Sequence, residues 1–142
     1  MKNDEPKTLD WAIRFAAEHH SGQTTLRGNP YILHPLRVMA AMSTDEEMMV
    51  AVLHDVIEDT AAVMEDLEGL PYRVTEAVRV LTHLHGVRYE DYIDLVYLNV
   101  LATKVKLADL ADNMRVERLP VLDSYAVKRL RKYRAAVLRL TC

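Results

Sequence analysis

Residues 51–60 read Ala51-Val52-Leu53-His54-Asp55-Val56-Ile57-Glu58-Asp59-Thr60, an apolar run that contains one histidine and three acidic residues. In an α-helix, successive residues step by about 100°, so residues four apart stack along one face. The pattern predicts one helical face that carries His54, Asp55, Glu58 and Asp59, opposite a packed aliphatic face. Burying such a polar face is costly, and a bound metal ion is the usual compensation. An isolated His-Asp dipeptide is more often a surface pair, so further ligands are needed to support a metal site.

Length and composition indicate a globular protein with one core. The chain has 142 residues, half of them hydrophobic, which predicts a single domain over residues 1–142. No apolar stretch approaches the roughly 20 residues that a membrane span needs, so we expect no membrane partner. The polar N-terminus lacks the apolar core of a signal peptide, and the one cysteine, Cys142, excludes an internal disulfide. These features predict a cytoplasmic protein.

The charge distribution argues against a nucleic-acid partner. The net charge is −3, which is unusual for a protein that binds nucleic acid. After Asp123, however, every charged residue is basic. This basic segment is interpreted mainly as a solvated helix face, and the alternative is that part of it binds the phosphate groups of a small polyanion.

Few glycines and prolines and little β-branched alternation predict an all-α fold. Thr8, Thr44 (with Glu47 at capping-box spacing) and Asp123 or Ser124 are the predicted helix caps. Helices are expected over seven segments, which run from Thr8 to about His20, from Pro35 onward, from Met48 to Ile57, and over residues 72–81, 89–101, 102–118 and 124–140.

Two further segments supply candidate metal ligands. His34 precedes Pro35 at a predicted helix start, and Asp109 lies among Leu107, Ala108, Leu110 and Ala111, where a carboxylate needs a partner. A set of His34, His54, Asp55 and Asp109 suits Mn²⁺, Fe²⁺, Ni²⁺ or Zn²⁺ better than Ca²⁺. Alone, each histidine or acid would more often be structural. Together they predict a metal site whose bound water Glu58 and Asp59 could orient or deprotonate.

These residues resemble a known family. His34, the His54-Asp55 doublet and Asp109 are similar to the ligand pattern of HD-domain metal-dependent phosphohydrolases, and in particular of the RelA/SpoT-type alarmone hydrolases and their small stand-alone relatives. The resemblance extends from about residue 9 to residue 138. The segments that carry it are His20-Ser21-Gly22-Gln23, Gly28-Asn29-Pro30-Tyr31-Ile32-Leu33-His34-Pro35, Leu53-His54-Asp55-Val56-Ile57-Glu58-Asp59-Thr60, Val105-Lys106-Leu107-Ala108-Asp109 and Asn113-Met114-Arg115.

The resemblance implies a helical HD-domain fold and a Mn²⁺-dependent reaction, the removal of the 3′-pyrophosphate of ppGpp or pppGpp to give GDP or GTP. It implies that Glu58 and Asp59 position or activate the attacking water. It also implies that Asn113 and Tyr133 contact the nucleotide and that Arg129 contacts phosphate. A small-molecule nucleotide is thus the expected partner, and the oligomeric state is left open.

One departure from the family pattern keeps other functions open. An arginine that commonly follows the Gly-Gln pair is replaced by Thr24 and Thr25, and Arg27 is the candidate to take its place. The alternatives are a phosphohydrolase of the same type that acts on another nucleotide, either a nucleoside triphosphate or a phosphorylated dinucleotide, and a nucleotide sensor without catalysis. His19, His83 and His85 fit no ligand position and are interpreted as surface or loop residues.

Overall fold

The computed structural model describes residues 5–142. The secondary-structure elements of these residues are all helices. The all-α prediction is confirmed. The elements are α1 (Leu9–His19), α2 (Leu33–Ala40), α3 (Asp45–Leu53), α4 (Val56–Asp59), α5 (Tyr72–Leu81), α6 (Tyr89–Tyr97), α7 (Val100–Asn113) and α8 (Ser124–Leu140), with short 3₁₀ helices at Met64–Leu67 and Val116–Arg118.

The helix starts follow the capping chemistry of the sequence. The hydroxyl of Thr8 accepts a hydrogen bond from the backbone of Trp11 at the start of α1. Thr44 and Glu47 form the predicted capping box before α3, and Asp123 caps α8. Each cap satisfies backbone donors that the first helical turn leaves without partners. The predicted caps are therefore confirmed, with Asp123 rather than Ser124 at the last helix.

Three predicted helix boundaries were wrong. α3 ends at Leu53 rather than continuing to residue 57, and a new short helix, α4, begins at Val56. The carbonyl of Ala51, the usual helical partner of residue 55, accepts a hydrogen bond from the His54 imidazole. The boundary between α6 and α7 lies at Asn99, whose side chain caps the next helix. α7 itself ends at Asn113, five residues before the predicted end at residue 118.

α3 is the central helix of the core. Its last four residues, Val50–Leu53, have no exposed surface, and the helix packs against α1, α2, α5 and α7. Because α3 is enclosed on all these sides, the two residues that follow it, His54 and Asp55, emerge inside the protein beside α2 and α7. Within residues 5–142, no helix combines the length and the apolar character that crossing a bilayer would require.

Candidate metal centre and active site

The four predicted ligands converge in the interior. His34 comes from the first turn of α2, His54 and Asp55 from the break between α3 and α4, and Asp109 from the middle of α7. One donor atom from each residue lies within 4.8 Å of the others. His34, His54 and Asp109 are 5%, 2% and 3% exposed, so three helices together bury this set. We call His34, His54, Asp55 and Asp109 the donor cluster.

Both imidazoles present the same ring nitrogen to the cluster. Nδ1 of His54 lies 2.6 Å from the carbonyl oxygen of Ala51, and Nδ1 of His34 lies 2.7 Å from Oδ2 of Asp112. Since a carbonyl only accepts, Nδ1 of His54 must be the protonated donor, and the carboxylate of Asp112 imposes the same arrangement on His34. Nε2 of each ring is thereby left facing Oδ1 of Asp109, at 2.8 Å from His34 and 3.2 Å from His54.

Asp112 and Arg37 are functional candidates that the sequence interpretation missed. Both carboxylate oxygens of Asp112 accept hydrogen bonds from the Arg37 guanidinium, at 2.8 and 2.9 Å. These hydrogen bonds and that of His34 outweigh burial and lower the pKa of Asp112. A carboxylate that orients a ligating histidine in this way is a recurrent feature of metal sites. The signal in the sequence was the helical spacing, because Arg37 follows His34 by three residues and Asp112 follows Asp109 by three.

Asp109 contacts several of the other polar groups of the site. Besides the two imidazoles, it accepts hydrogen bonds from Lys106 Nζ at 2.9 Å and from Asn113 Nδ2 at 3.1 Å. Burial alone would raise the pKa of its carboxyl group, but the charges of Lys106 and His54 and the imidazole hydrogen bonds hold it well below the usual range. The site therefore contains a buried carboxylate that stays ionised.

The donor set fits a transition-metal ion. Bonds of about 2.0–2.2 Å place the ligands of one such ion about 3–4 Å apart, close to the separations in the donor cluster. Two imidazole nitrogens with two carboxylates form a mixed nitrogen and oxygen set. Oδ2 of Asp55, the oxygen that faces both imidazoles, also accepts a hydrogen bond from the Tyr31 hydroxyl. Because the donor atoms already converge, the residues of the donor cluster fit such an ion.

The two acids that were predicted to act on water lie on α4, at the exposed edge of the cluster. The prediction that one continuous helix carries all four residues was wrong, because the break falls at His54 and Asp55 and the acids lie on the following helix. Glu58 accepts a hydrogen bond from the backbone N–H of His83 at 2.7 Å. Partial burial, together with the charges of Asp55 and Glu58, raises the pKa of Asp59 to about 6. We call Glu58 and Asp59 the acidic pair.

A cationic pocket of about 220 Å³ opens beside His34. We call it the arginine pocket, because five arginines line it together with Tyr31, Asp112 and Asn113: Arg27, Arg37, Arg115, Arg118 and Arg129. Nε of Arg118 is buried, and no group of residues 5–142 accepts a hydrogen bond from it. Larger surface clefts, of about 260, 630 and 710 Å³, contain none of the candidate ligands.

Three of the four predicted substrate-binding residues line this pocket, and the fourth adjoins it. Arg27 donates to the backbone carbonyl of Glu117 at 3.0 Å, and Asn113 reaches from the pocket wall to Asp109. Arg129 donates to the hydroxyl of Tyr133 at 2.7 Å. Tyr133 lies in a smaller neighbouring pocket of about 80 Å³, which also contains Asn113 and Arg129. The structure therefore brings the four residues to one side of the donor cluster.

Of the three histidines without a predicted role, only His85 is an exposed loop residue. His19 is half-buried at the end of α1 and contacts the Phe15 ring at a tilt of 32°, with ring centroids 4.0 Å apart. His83 is half-buried in the loop between α5 and α6, where it contacts α6. The interpretation as surface or loop residues therefore holds for His83 and His85, whereas His19 lies in the last turn of α1 with its ring against Phe15.

Comparisons with known proteins agree with this architecture. The chain is 36% identical over 131 residues, 81% of its length, to the bifunctional (p)ppGpp synthase/hydrolase SpoT of Escherichia coli K12. It is 34% identical over 117 residues, 73% of its length, to the guanosine-3′,5′-bis(diphosphate) 3′-pyrophosphohydrolase of Aquifex aeolicus. The chain spans only 19% and 17% of these two relatives. No protein-family model matches it.

A solved structure shares the fold over nearly the whole chain. It was described as a metazoan orthologue of SpoT that hydrolyses ppGpp, and it superposes with a TM-score of 0.75 at 26% identity. The match covers 93% of this chain and 84% of the other. With the sequence similarity and the buried His-Asp cluster, this shared fold shows that the chain belongs to the HD-domain family, in the branch of the SpoT-type hydrolases.

Proposed function

We propose that this protein is a metal-dependent hydrolase that removes the 3′-pyrophosphate of ppGpp and pppGpp, giving GDP or GTP and pyrophosphate. The observation that carries the proposal is the position of the donor cluster directly beside the arginine pocket, since His34 belongs to both. A metal site next to a cationic pocket suits a substrate in which one phosphate group reacts while other phosphates provide binding. The activities of the SpoT-type relatives support this substrate class.

The proposed metal is Mn²⁺, with Fe²⁺, Ni²⁺ and Zn²⁺ as alternatives that the same donor set accepts. His34, His54, Asp55 and Asp109 would hold it. When bound, such an ion supplies a water of lowered pKa and neutralises negative charge that develops on phosphate. The neighbouring Lys106 keeps Asp109 ionised, and Asp112 keeps His34 oriented with Nε2 toward the cluster.

The acidic pair is proposed to orient and deprotonate the attacking water. A general base works best when its pKa is near the working pH, and a pKa of about 6 makes Asp59 both largely ionised and basic near neutrality. Glu58, whose carboxylate is held by the backbone of His83, is proposed to orient the water. Both acids lie at the exposed edge of the buried cluster, where water and substrate can reach them.

The arginine pocket is proposed to bind the rest of the nucleotide. Arg129 is assigned to a substrate phosphate and Asn113 and Tyr133 to the nucleotide, as in the family resemblance, and Arg27 is assigned to the guanine in place of the family's arginine. Arg118 adds a further positive charge to the pocket wall, which suits an anionic ligand. Two features thus support a polyphosphorylated substrate: the charge of the pocket and its position beside His34.

A second candidate substrate is a different nucleotide. Thr25, which lines the pocket where the family commonly has an arginine, favours this alternative, because guanine recognition then depends on Arg27. The guanidinium of Arg27 is already engaged by the carbonyl of Glu117. The same metal chemistry could then act on a nucleoside triphosphate or a phosphorylated dinucleotide.

Product analysis tests the proposal. The protein is incubated with Mn²⁺ and separately with ppGpp, pppGpp, ATP, GTP and NADPH, and released pyrophosphate and phosphate are quantified. Chelator-sensitive release of pyrophosphate from ppGpp and pppGpp alone is the expected result. Turnover of another nucleotide with the alarmones untouched would replace the substrate assignment, and binding of ppGpp without any turnover would indicate a sensor.

A substitution of Glu58, with a matched control, tests the catalytic role of the acidic pair in the same assay. Glu58→Gln should retain the metal and lower kcat by about 10²-fold or more, the range typical of a lost acid–base or orienting group. His85→Ala, an exposed histidine of the α5–α6 loop, is the matched control and should behave as the wild type. Wild-type kcat in Glu58→Gln would remove Glu58 from the mechanism.

A further inference from the structure

The carboxylate of Glu58 is fixed by a loop that carries no recognised motif. Glu58 is exposed on α4, and a free glutamate in such a position would sample several rotamers. Instead, Oε1 accepts a hydrogen bond from the backbone N–H of His83 at 2.7 Å. This is the one hydrogen bond of the Glu58 side chain within residues 5–142, and it leaves Oε2 available to another donor.

The imidazole of His83 holds that N–H in place. Nε2 of His83 lies 2.6 Å from the carbonyl oxygen of Val87, so the ring closes the loop between α5 and α6 by donating a hydrogen bond across it. The same ring stacks on Tyr92 of α6, with centroids 4.6 Å apart and planes 18° from parallel. Tyr92 is buried and donates its own hydroxyl to the carbonyl of Leu81 at 2.7 Å. The His83 ring therefore links the loop to α6, and the Tyr92 hydroxyl links α6 to the end of α5.

We propose that His83 is a positioning residue for Glu58: its backbone N–H fixes one carboxylate oxygen, and its side chain fixes the N–H. The other oxygen then points in a defined direction and can accept a hydrogen bond from the attacking water. This assignment rests on the proposed hydrolytic function for its consequence in catalysis, but the contact itself can be tested without any substrate. It extends the candidate active site to the α5–α6 loop.

Amide hydrogen exchange tests the contact directly. The His83 amide of the wild-type protein should exchange slowly for a loop amide, and Glu58→Ala should speed its exchange by about tenfold or more, the equivalent of one hydrogen bond to a charged group. The neighbouring amides of α5 should keep their protection. An exchange rate at His83 that does not change in Glu58→Ala would overturn the proposal.

Steady-state kinetics test whether the contact between His83 and Glu58 contributes to turnover. His83→Pro removes the N–H, and the backbone of Thr82, at φ −81° and ψ 109°, already has the extended conformation that a following proline requires. His83→Pro should lower kcat about tenfold or more, with KM and Mn²⁺ affinity unchanged, since one charge-assisted hydrogen bond is lost. His83→Ala keeps the N–H, so its kcat should fall less than that of His83→Pro. His83→Gln, which can still donate toward Val87, should restore part of that loss.

A double-mutant cycle distinguishes positioning from general damage. If His83 acts through Glu58, the proline substitution should have little further effect on kcat in a Glu58→Gln background. Equal losses in both backgrounds, or full kcat in His83→Pro, would contradict the assignment. If the wild type hydrolyses no alarmone, the proposed function fails, while the amide-exchange result still decides whether His83 holds Glu58. If His83→Pro does not fold, the alanine and glutamine variants and the exchange measurement still decide the outcome.

Discussion

The donor cluster and the acidic pair meet at α4 but are built differently. The ligands of the cluster are buried by three helices, and the atoms of each imidazole that do not face the centre are bound to protein groups such as Ala51 and Asp112. The acidic pair is exposed, and Glu58 depends on one hydrogen bond from a loop. The first region is organised by packing, and the second by a contact that few neighbours reinforce.

This difference indicates how the two regions should respond to change. Losing one member of a buried and mutually hydrogen-bonded set leaves the other polar groups without partners, at a cost in both binding and stability. Losing an exposed group costs only the interactions that it makes itself. Substitutions in the donor cluster should therefore alter metal binding and folding together, whereas those in the acidic pair should alter turnover alone.

The largest effect is expected from His54→Ala. The substitution removes one ligand and leaves the Asp109 carboxylate without one of its partners, so Mn²⁺ affinity should fall by more than about a hundredfold. The metal-free protein should also unfold at a lower temperature. Isothermal titration calorimetry and thermal unfolding measure both, with Glu58→Ala as the comparison that should leave them nearly unchanged. Wild-type Mn²⁺ affinity in His54→Ala would exclude His54 as a ligand.

Asp112→Asn should have the next largest effect, because it acts on the metal through His34. The substitution removes the negative charge that accepts from Nδ1 and that Arg37 neutralises. Groups that orient a metal ligand typically contribute 10- to 100-fold in affinity, so we expect a loss of about that size with the fold retained. Asp91→Asn, an exposed carboxylate on α6, is the control for calorimetry. Equal affinities in the two variants would show that His34 needs no orienting carboxylate.

The affinity for Mn²⁺ is expected to increase with pH. Burial alone would lower the pKa of both imidazoles, but Asp109 and Asp112 around His34, and Asp55 and Asp109 around His54, outweigh it and raise the pKa of both rings above the ordinary value of about 6.5. A metal ligand must be unprotonated, so binding at neutral pH should release protons. Mn²⁺ affinity should therefore rise with pH, by up to about a hundredfold per pH unit if both rings are protonated, and level off above their raised pKa values.

Calorimetry in buffers of different ionisation enthalpy counts the released protons. The metal-free protein should show the opposite trend in stability, since a raised histidine pKa stabilises the folded state at low pH and this contribution is lost as the pH rises through the folded-state pKa. Affinity that is constant from pH 6 to pH 8 would mean that the rings are already neutral in the metal-free protein.

The contrast between the two regions also explains what the sequence could predict. The all-α fold, the caps at Thr8, Thr44 and Asp123 and the convergence of the donor cluster were accessible, because each depends on local spacing or on a motif. The break after Leu53 was not, because it arises where the His54 ring takes a backbone carbonyl that a continuous helix would use. The spacing of apolar and polar residues contains no information about such a side-chain-to-backbone hydrogen bond.

The functional residues that the sequence interpretation missed also fall into two kinds, those that helical spacing could have revealed and those that it could not. Asp112 and Arg37 stand at helical spacing from predicted ligands, so a search for their partners on the same helices could have found them. His83 is separated from Glu58 by 25 residues and contacts it through its backbone, which no side-chain pattern reveals. The arginine pocket was predicted only in part, since Arg115 and Arg118 reach it because α7 ends early and the chain turns there.

The smallest of the expected effects concerns the arginine pocket. Arg129→Gln keeps a polar side chain but removes the charge and the hydrogen bond to Tyr133, so KM for the nucleotide should rise about five- to tenfold, the equivalent of roughly one charge-assisted hydrogen bond. Mn²⁺ affinity should not change, because Arg129 does not contact the donor cluster. Arg131→Gln, an exposed residue two positions further along α8, removes the same charge outside the pocket. A rise in KM of equal size in both variants would mean that the basic helix acts through its general charge and that the pocket does not select the substrate.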